Sequence, residues 1–479
     1  MRLAPDPLLE RVRQDRDALA LTARSAHWTR GQLSLAADGL AGSLVAEGLG
    51  EGQRIACLLD DDAPAVALIH ATRRLGALHI SLNRRASPYE LRVQLESVGA
   101  SALLYDRANA ATAREALPEG VASHRIEALL AGSPCAVAPR LRERVDLDAP
   151  ATIVFTSGTT GRPKGAVLSH DNHRASAHAW AGLLRPRPGD RWLVCVPLFH
   201  VAGLAIITRA TRWGAALDLL ERSDPVAVSR AIDAGVTHMS LVPAQLMGLL
   251  VERGDRPVPS TLRAILLGGG PIPQDVLARA REAGYPVLTT YGLTETGSGV
   301  VSGGADQATL GDPGTGRALP GVELRVESDG EILVRGEMVF LGYLDDEAAT
   351  ARALPGDGWL HTGDRGTLDE RGLLRVRARA DDLIISGGEN IAPAEVEAVL
   401  EAHPGVAEAA VTGIPDERWG AVPRAFVVPV AGADPADDEL DRFCRERLAG
   451  YKVPTSFVRL ESLPRNAMGK ISRSELADA

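Results

Sequence analysis

The stretch RAILLGGGPIPQDVLARAREAG, residues 263–284, joins a short apolar β-type run to a glycine-rich turn and an amphipathic helical run. The same succession recurs between about residues 30 and 290, in RIACLL before APAVALIHATRRLG and in HMSLVP before AQLMGLLVERG. A further β-type run, RWLVCVPL, precedes the apolar residues of the 200s. This alternation predicts parallel strands joined by helices, which is a doubly wound α/β fold.

The pattern changes twice towards the C-terminus. From about residue 311, short β-type runs with Gly and Asp turns, such as VELRVESDGEILVRG, predict a small antiparallel β subdomain. Beyond Asp382, the helical runs PAEVEAVLEAH and DDELDRFCRERLAG flank the β-type runs VAEAAVTGI and RAFVVPV. The sequence therefore predicts a large N-terminal domain over residues 1–378, a hinge over 379–382 and a smaller, mobile α+β C-terminal domain over 383–479.

The composition limits the classes of partner. With 45% hydrophobic residues, 24% charged residues and a net charge of −10, the chain reads as globular and does not favour nucleic acid or anionic membranes. The four cysteines have no metal-ligand or paired spacing, which indicates free thiols in a reducing cytoplasm. We therefore expect a cytoplasmic protein without nucleic-acid binding or membrane insertion, and the oligomeric state stays open.

The segment TSGTTGRPKG, residues 156–165, is a candidate phosphate-binding loop. It follows the β-type run ATIVF and supplies backbone amides, hydroxyl groups and a lysine that could wrap a triphosphate. It is not a Walker loop, because Lys164 follows Pro163 and precedes Gly165. Taken alone, the loop could also be a mobile connection. The candidate phosphate ligands are Thr156, Ser157, Gly158, Thr159, Thr160 and Lys164.

Four more motifs follow in order: TYGLTET (290–296), GWLHTGD (358–364), RARADDLIISGGENIAP (377–393) and PRNAMGK (464–470). Together with the first, they resemble the successive core motifs of the adenylate-forming superfamily of acyl-CoA synthetases, luciferases and peptide-synthetase adenylation domains. The resemblance implies two steps. A carboxylic acid and ATP give an acyl-adenylate and diphosphate with Mg²⁺, and the thiol of CoA then takes the acyl group.

The resemblance also implies a nucleotide site. Glu295 would be the magnesium ligand, since Mg²⁺ prefers a carboxylate together with phosphate oxygens. Asp364 would accept the ribose hydroxyls with help from Arg379, and Tyr291 would lie against the adenine. The remaining candidate nucleotide contacts are Gly268, Gly269, Gly270, Gly292 and Thr294.

Lys470 resembles the lysine that drives adenylation in this superfamily. A compact ammonium group on a flexible stem can reach between the substrate carboxylate and the α-phosphate. The same group would obstruct the thiol, so the resemblance implies that the C-terminal domain rotates about Asp381 after the first step. Gly387 and Gly388 would then line the path of CoA. Lys452 would contact CoA phosphates or cap the preceding helix, and the sequence leaves both roles open.

The segment PLFHVAGLAIITRA, residues 197–210, is the candidate acid-binding helix, and His200 and Arg209 are its candidate substrate residues. His200 is also a candidate catalytic residue. An arginine in an apolar helix needs an anionic partner, which a second substrate carboxylate would supply, although snorkelling to the surface is an alternative. With LLGGGPIP and SGGENIAPAEVEAVL, this segment is most similar to the o-succinylbenzoate-CoA ligase family of menaquinone biosynthesis, whose substrate is an aromatic keto-dicarboxylate.

Two other interpretations remain. One is another acyl- or aryl-CoA synthetase, acting on a medium-chain fatty, malonate-like or aryl acid. The other is a nucleotide-binding homologue without catalysis, which the presence of Glu295, Asp364, Arg379 and Lys470 together disfavours.

Overall fold

A computed structural model describes residues 2–24, 26–131, 141–156, 163–270, 272–304, 316–379 and 383–464, together with Leu476, and gives the backbone alone for 377–379. Among these residues, no helix combines the length and the apolar character that crossing a membrane requires.

The helices and strands of the first third of the chain are β1 Leu3–Pro5, α1 Pro7–Gln14, β2 Leu19–Thr22, β3 His27–Thr29, α2 Arg30–Ala46, β4 Arg54–Leu58, α3 Ala63–Leu75, β5 Leu78–Ser81, α4 Pro88–Ser97, β6 Ala102–Tyr105, α5 Ala110–Ala116, β7 Ala122–Arg125, α6 Ile126–Ala131, β8 Arg144–Asp146, β9 Pro150–Thr156, β10 Lys164–Ser169 and α7 His170–Leu184.

The next part forms β11 Arg191–Val194, α8 Val201–Trp213, β12 Ala216–Leu219, α9 Pro225–Asp233, β13 His238–Leu241, α10 Pro243–Arg253, β14 Ala264–Leu267, α11 Gln274–Glu282, β15 Val287–Leu293, β16 Ser298–Gly303, β17 Arg317–Ala318, β18 Glu323–Val326, β19 Glu331–Arg335, β20 Gly342–Tyr343, α12 Glu347–Ala353, β21 Leu360–Leu368 and β22 Leu374–Arg379. The C-terminal part forms β23 Ile384–Ser386, β24 Glu389–Ile391, α13 Pro393–Glu401, β25 Val406–Asp416, β26 Gly420–Pro429, α14 Asp437–Arg445 and β27 Phe457–Arg459.

Two large sheets form the N-terminal domain. Within the described residues, one sheet has the order β20-β10-β9-β5-β4-β6-β7 and the other the order β17-β16-β15-β14-β13-β11-β12-β2-β3. The central strands are parallel, as in the pairs β4–β5 and β13–β14, whereas β10 and β16 pair antiparallel with their neighbours. Helices connect the parallel strands, as the alternation of apolar runs predicts. The predicted doubly wound α/β fold is confirmed.

The smaller sheets also follow the prediction. Strands β18, β19, β21 and β22 form an antiparallel sheet, which is the predicted β subdomain. The C-terminal sheet has the order β24-β23-β26-β25, with β27 parallel to β26. Its apolar face packs with α13 and α14 into a separate core that includes Val396, Leu400 and Leu440.

Helix α8 differs from its prediction in where it begins. The expected strand RWLVCVPL ends at Val194 and the helix starts only at Val201, so residues 195–200 form a connection. Pro197 lacks an amide hydrogen and cannot continue a strand ladder. A Cβ atom at Gly203 would lie 2.3 Å from the Pro197 carbonyl oxygen, so this glycine lets the first helical turn approach the connection. The tight packing places His200 at the N-terminus of α8.

Candidate active site

One large cavity, of about 2410 Å³, lies where the C-terminal domain meets the ends of the N-terminal strands. Its walls contain thirteen of the predicted site residues, namely Thr156, Lys164, His200, Arg209, Gly268, Gly269, Gly292, Thr294, Glu295, Asp364, Gly387, Gly388 and Lys452. Ser157, Gly158, Thr159, Thr160, Asp381 and Lys470 lie outside the described residues. The fold thus brings residues from separate motifs to one place.

At the candidate phosphate end, Lys164 and Glu295 both contact Tyr343, a residue that was not predicted from the sequence. Strand β10 begins at Lys164 and pairs with β20, which carries Tyr343. The Lys164 ammonium lies 5.4 Å from the centre of the Tyr343 ring. The Tyr343 hydroxyl donates a 2.6 Å hydrogen bond to Glu295 Oε1. Tyr343 therefore contacts both a cation and a carboxylate, the residue types that phosphate and Mg²⁺ binding require.

The candidate ribose end is organised by Asp364, which is 2% exposed on β21. Its Oδ2 accepts a 2.8 Å hydrogen bond from the Tyr291 hydroxyl. The strand register pairs Asp364 with Arg379 on β22, so the two predicted ribose residues are adjacent in backbone position. Tyr291 is thus oriented by a carboxylate, and its predicted contact with adenine stays a prediction.

Between the ribose and phosphate ends, neighbouring atoms approach the backbone so closely that only glycine fits. A Cβ atom at Gly268 would lie 2.2 Å from Thr290 Oγ1, and one at Gly292 would lie 2.1 Å from the Ser298 carbonyl oxygen. Gly269 has a φ of +76°, in the left-handed region. Gly270 packs against Ile385 of the C-terminal domain. The turn after β14 therefore adjoins both the nucleotide end and the second domain.

The hairpin β23–β24 brings Gly387 and Gly388 into the cavity wall. Both glycines have positive φ, +58° and +87°, as a two-residue hairpin turn needs. A Cβ atom would lie 2.7 Å from the Trp419 ring at Gly387 and 2.6 Å from Val242 Cγ1 at Gly388. Gly387 thus packs within the C-terminal domain and Gly388 against the N-terminal domain, and the approach of a thiol along this turn stays a prediction.

Arg209 also lines the cavity, and its setting excludes snorkelling because the residue is 1% exposed. Its guanidinium lies 5.1 Å from the Trp180 ring centre and 5.8 Å from that of Trp192. Its Nη2 donates a long 3.4 Å hydrogen bond to Ser298 Oγ, while Nε has no partner among the described residues. Burial lowers the pKa of Arg209 to about 9, which leaves the group charged at neutral pH.

His200 faces the C-terminal domain, where its Nε2 lies 3.1 Å from Glu389 Oε2. Arg85 contacts the same carboxylate at 2.9 Å. Burial alone would raise the pKa of Glu389, but the hydrogen bond from His200 and the charges of His200, Arg85 and Lys452 lower it. The sequence analysis missed Glu389, although it lies within the motif that supplied Gly387 and Gly388.

Lys452 forms contacts that the sequence did not predict. Its Nζ donates to Glu90 Oε1 at 2.6 Å and to Glu395 Oε1 at 2.7 Å, and the residue is 8% exposed. The ammonium thus lies between two carboxylates, and its contact with CoA phosphates stays a prediction. Its carboxylate partners are 362 and 57 residues away along the chain, which no sequence pattern reveals.

Comparisons with known proteins identify the family of the chain. Residues 8–344 match the family described as AMP-binding enzyme, and residues 395–470 match the AMP-binding enzyme C-terminal domain. The chain is 40% identical over 486 residues to the 2-succinylbenzoate--CoA ligase of Bacillus mycoides (strain KBAB4), covering 99% of this chain and 98% of that protein.

A solved structure of a similar protein has nearly the same arrangement. It is a double mutant of o-succinylbenzoate CoA synthetase (MenE) from Bacillus subtilis bound with its product analogue OSB-NCoA, with a TM-score of 0.95, 36% identity and coverage of 100% of this chain and 99% of that chain. The same Bacillus subtilis protein in complex with the acyl-adenylate intermediate OSB-AMP gives a TM-score of 0.77 at 37% identity and the same coverage. Both family matches and the full-length relatives lead to one conclusion: the chain belongs to the AMP-binding enzyme family, the adenylate-forming superfamily that its motifs resemble.

Proposed function

We propose that this chain is an ATP-dependent acid–CoA ligase that converts 2-succinylbenzoate, ATP and CoA into 2-succinylbenzoyl-CoA, AMP and diphosphate, a step of menaquinone biosynthesis. The relatives named 2-succinylbenzoate--CoA ligase, which match along almost their whole length, support the reaction. The observation that carries the substrate choice is Arg209, a buried cation in the cavity wall without a carboxylate partner among the described residues. A substrate with a second carboxylate supplies that partner.

In the first step, the substrate carboxylate attacks the α-phosphorus of ATP, which brings two anions together. Lys164 supplies positive charge at the phosphate end of the cavity, and Lys470 completes it in the superfamily scheme. Glu295 would hold Mg²⁺, which neutralises phosphate charge when bound. Asp364 binds the ribose, and Arg209 holds the second carboxylate of the acid. Holding the nucleotide and the acid at separate points positions the reacting carboxylate for attack.

In the second step, the CoA thiol attacks the acyl-adenylate carbonyl and AMP leaves. The turn at Gly387 and Gly388 provides a side-chain-free wall for the thiol. His200, held by Glu389, lies at the junction of the two domains, where the thiol and the acyl group would meet. We divide the chain at residues 379–382 into the domains that rotate relative to one another, and the free, buried Cys57, Cys195 and Cys444 suit a cytoplasmic enzyme.

The experiment is diphosphate release with ATP and Mg²⁺, comparing 2-succinylbenzoate with fatty, aryl and short dicarboxylic acids, followed by addition of CoA. Preference for 2-succinylbenzoate and formation of its CoA thioester is the expected result. Preferential turnover of a monocarboxylic acid would contradict the substrate assignment and favour the other acyl- or aryl-CoA synthetases. Absence of diphosphate release with every acid would contradict the enzyme assignment.

A further inference from the structure

A short segment of the N-terminal domain, residues 83–90, receives the C-terminal domain. Asn83 Nδ2 lies 3.2 Å from the Tyr451 hydroxyl, and Ser87 Oγ donates a 2.8 Å hydrogen bond to the Arg447 carbonyl oxygen. Glu90 accepts a 2.6 Å hydrogen bond from Lys452 Nζ. We call residues 83–90 the docking segment. Polar contacts of side chains along its whole length cross the domain interface.

The strongest of these contacts is a buried ionic triad of Glu90, Lys452 and Glu395. Their side chains are 7%, 11% and 12% exposed. Buried charges destabilise a protein unless each has an opposite charge close by. Since Lys452 and Glu395 belong to the C-terminal domain and Glu90 to the N-terminal domain, the triad forms only when the two domains meet in this orientation. Burial lowers the pKa of Lys452, but the two carboxylates outweigh it and raise that pKa, so the cation is retained.

The local structure of helix α4 fixes the Glu90 carboxylate in advance. Ser87 is the N-cap of α4, and Glu90 N donates to Ser87 Oγ at 3.1 Å. In return, Glu90 Oε2 accepts a 2.7 Å hydrogen bond from the Ser87 backbone amide. This capping box uses one carboxylate oxygen and leaves Oε1 for Lys452. A carboxylate that is already ordered loses little conformational entropy when the ammonium arrives.

The domain orientation with the triad is the one that resembles the product-analogue complex. The TM-score is 0.95 against the Bacillus subtilis protein with OSB-NCoA and 0.77 against the same protein with OSB-AMP. In this orientation, Gly387 and Gly388 line the cavity and Gly388 packs against Val242. The docking segment and the candidate thiol path are therefore formed together.

We propose that Glu90 is a positioning residue for thioester formation. Its carboxylate captures Lys452 and holds the C-terminal domain where the β23–β24 turn faces the acyl-adenylate. Glu90 itself does not touch the reacting atoms, because its two oxygens contact Lys452 and the α4 cap. The inference rests on the proposed function, since it assigns Glu90 to the second of the two proposed steps.

The test is the Glu90→Gln variant, assayed in single turnover for each step separately. Glutamine can also serve in a capping box, so α4 keeps its N-terminus while the triad loses one charge. We expect diphosphate release in the first step to stay within about twofold of wild type, and acyl transfer from enzyme-bound acyl-adenylate to CoA to slow at least about tenfold, as for loss of a charged hydrogen bond. Glu96→Gln, on the same helix but exposed, is the matched control and should leave both rates unchanged.

Lys452→Met removes the triad from the other domain. It should show the same selective loss, and the double variant Glu90→Gln/Lys452→Met should lose less than the product of the two single effects, because both remove one interaction. Equal slowing of both steps, or an unchanged transfer rate in folded Glu90→Gln, would overturn the positioning role. If wild type turns over another acid instead of 2-succinylbenzoate, the proposed function is wrong, and the same two-step comparison with that acid still decides the role of Glu90.

Discussion

The Arg209 guanidinium is enclosed by Trp180 and Trp192 in an apolar helix, where its desolvation is unfavourable. Cation–π contacts offset part of the desolvation of Arg209, but they do not satisfy its hydrogen-bond donors. A substrate carboxylate would satisfy these donors with charge-assisted hydrogen bonds. The arrangement therefore favours a dicarboxylate over a monocarboxylate of the same shape.

Replacing Arg209 should separate the two classes of acid. For Arg209→Met, we expect the KM for 2-succinylbenzoate to rise about 10- to 100-fold, because a hydrogen bond to a charged group contributes about 1.5–3 kcal/mol. The KM for an analogue lacking the ring carboxylate should change little. Steady-state diphosphate release measures both values. Arg253→Met, which alters another buried arginine that contacts Asp233, controls for loss of stability and should leave both KM values unchanged. Equal effects on the two acids would place Arg209 outside substrate recognition.

Single substitutions of Glu295 and Tyr343 should affect the rate of adenylation to different extents. For Glu295→Gln, we expect the adenylation rate to fall about 100-fold or more and the Mg²⁺ concentration for half-maximal rate to rise, because the carboxylate is the candidate metal ligand. Tyr343→Phe keeps that carboxylate and removes one hydrogen bond, so its rate should fall about tenfold or less. Rates of ATP–diphosphate exchange over a Mg²⁺ titration measure both effects. A wild-type Mg²⁺ dependence in Glu295→Gln would contradict the metal assignment.

At the scale of the element, two separate restraints keep side chains out of the turn of the β23–β24 hairpin. Gly388 has a φ of +87°, which disfavours any side chain, and its Cβ position lies 2.6 Å from Val242 Cγ1 of the N-terminal domain. The first restraint acts in every domain orientation. The second acts only when the two domains meet as they do here.

These restraints predict a selective effect for Gly388→Ala. Acyl transfer to CoA should slow about tenfold or more, while adenylation should change much less, because the added methyl group meets Val242 in this orientation only. Single-turnover rates of the two steps measure the difference. Gly432→Ala tests backbone strain alone and should spare both steps, since its φ is +82° and no atom of the described residues lies within 4 Å of its Cβ position. Adding Val242→Ala should restore part of the transfer rate, and failure to do so would exclude the clash as the cause.

Most helices and strands could be predicted from the sequence because the local periodicity of apolar residues determines them. The buried helix with Arg209 and the strand-turn-helix at Gly268 were predicted from short stretches, whereas a place for Gly387 and Gly388 was implied only by the resemblance to the adenylate-forming superfamily. The start of α8 was not predicted, since the strand already ends at Val194 and Gly203 allows a close turn before the helix. Lys452, Tyr343 and Glu389 acquire their settings from partners in distant elements, and spacing along the chain carries no record of such contacts.

At the scale of the whole molecule, the proposed domain rotation would assign Lys470 to adenylation only. We expect Lys470→Ala to lower the rate of acyl-adenylate formation at least about 100-fold, because a cation that stabilises the transition state is lost. Thioester formation from supplied 2-succinylbenzoyl-adenylate and CoA should remain close to wild type. Quench assays of the two steps distinguish these effects, with Arg459→Ala in the same domain as a control for altered charge. Loss of both steps in equal measure would contradict rotation between two working orientations.

The whole molecule should also lose stability in mild acid, because it buries neutral histidines. Burial lowers the pKa of His79 to about 4, and burial together with the charges of Arg73 and His79 lowers that of His173 to about 3. Burial and the nearby Arg73 and Arg74 lower the pKa of His70 in the same direction. An unfolded histidine has a pKa of about 6.5, so the unfolded chain binds more protons at lower pH. Each of these histidines makes its full contribution to the free energy of unfolding above about pH 6.5. Below that pH, the contribution decreases by up to about 1.4 kcal/mol per pH unit until the pH reaches the folded-state pKa.

Proton uptake on thermal unfolding tests this prediction directly. At pH 5.5, each of these histidines should contribute close to one proton, since it is neutral when folded and mostly charged when unfolded. Calorimetry in buffers of different ionisation enthalpy gives the number of protons. His79→Gln should lower the uptake by about one proton. If His79→Gln takes up as many protons as wild type, His79 is already charged in the folded protein, and its burial between β4 and β9 does not determine the acid limit of the fold.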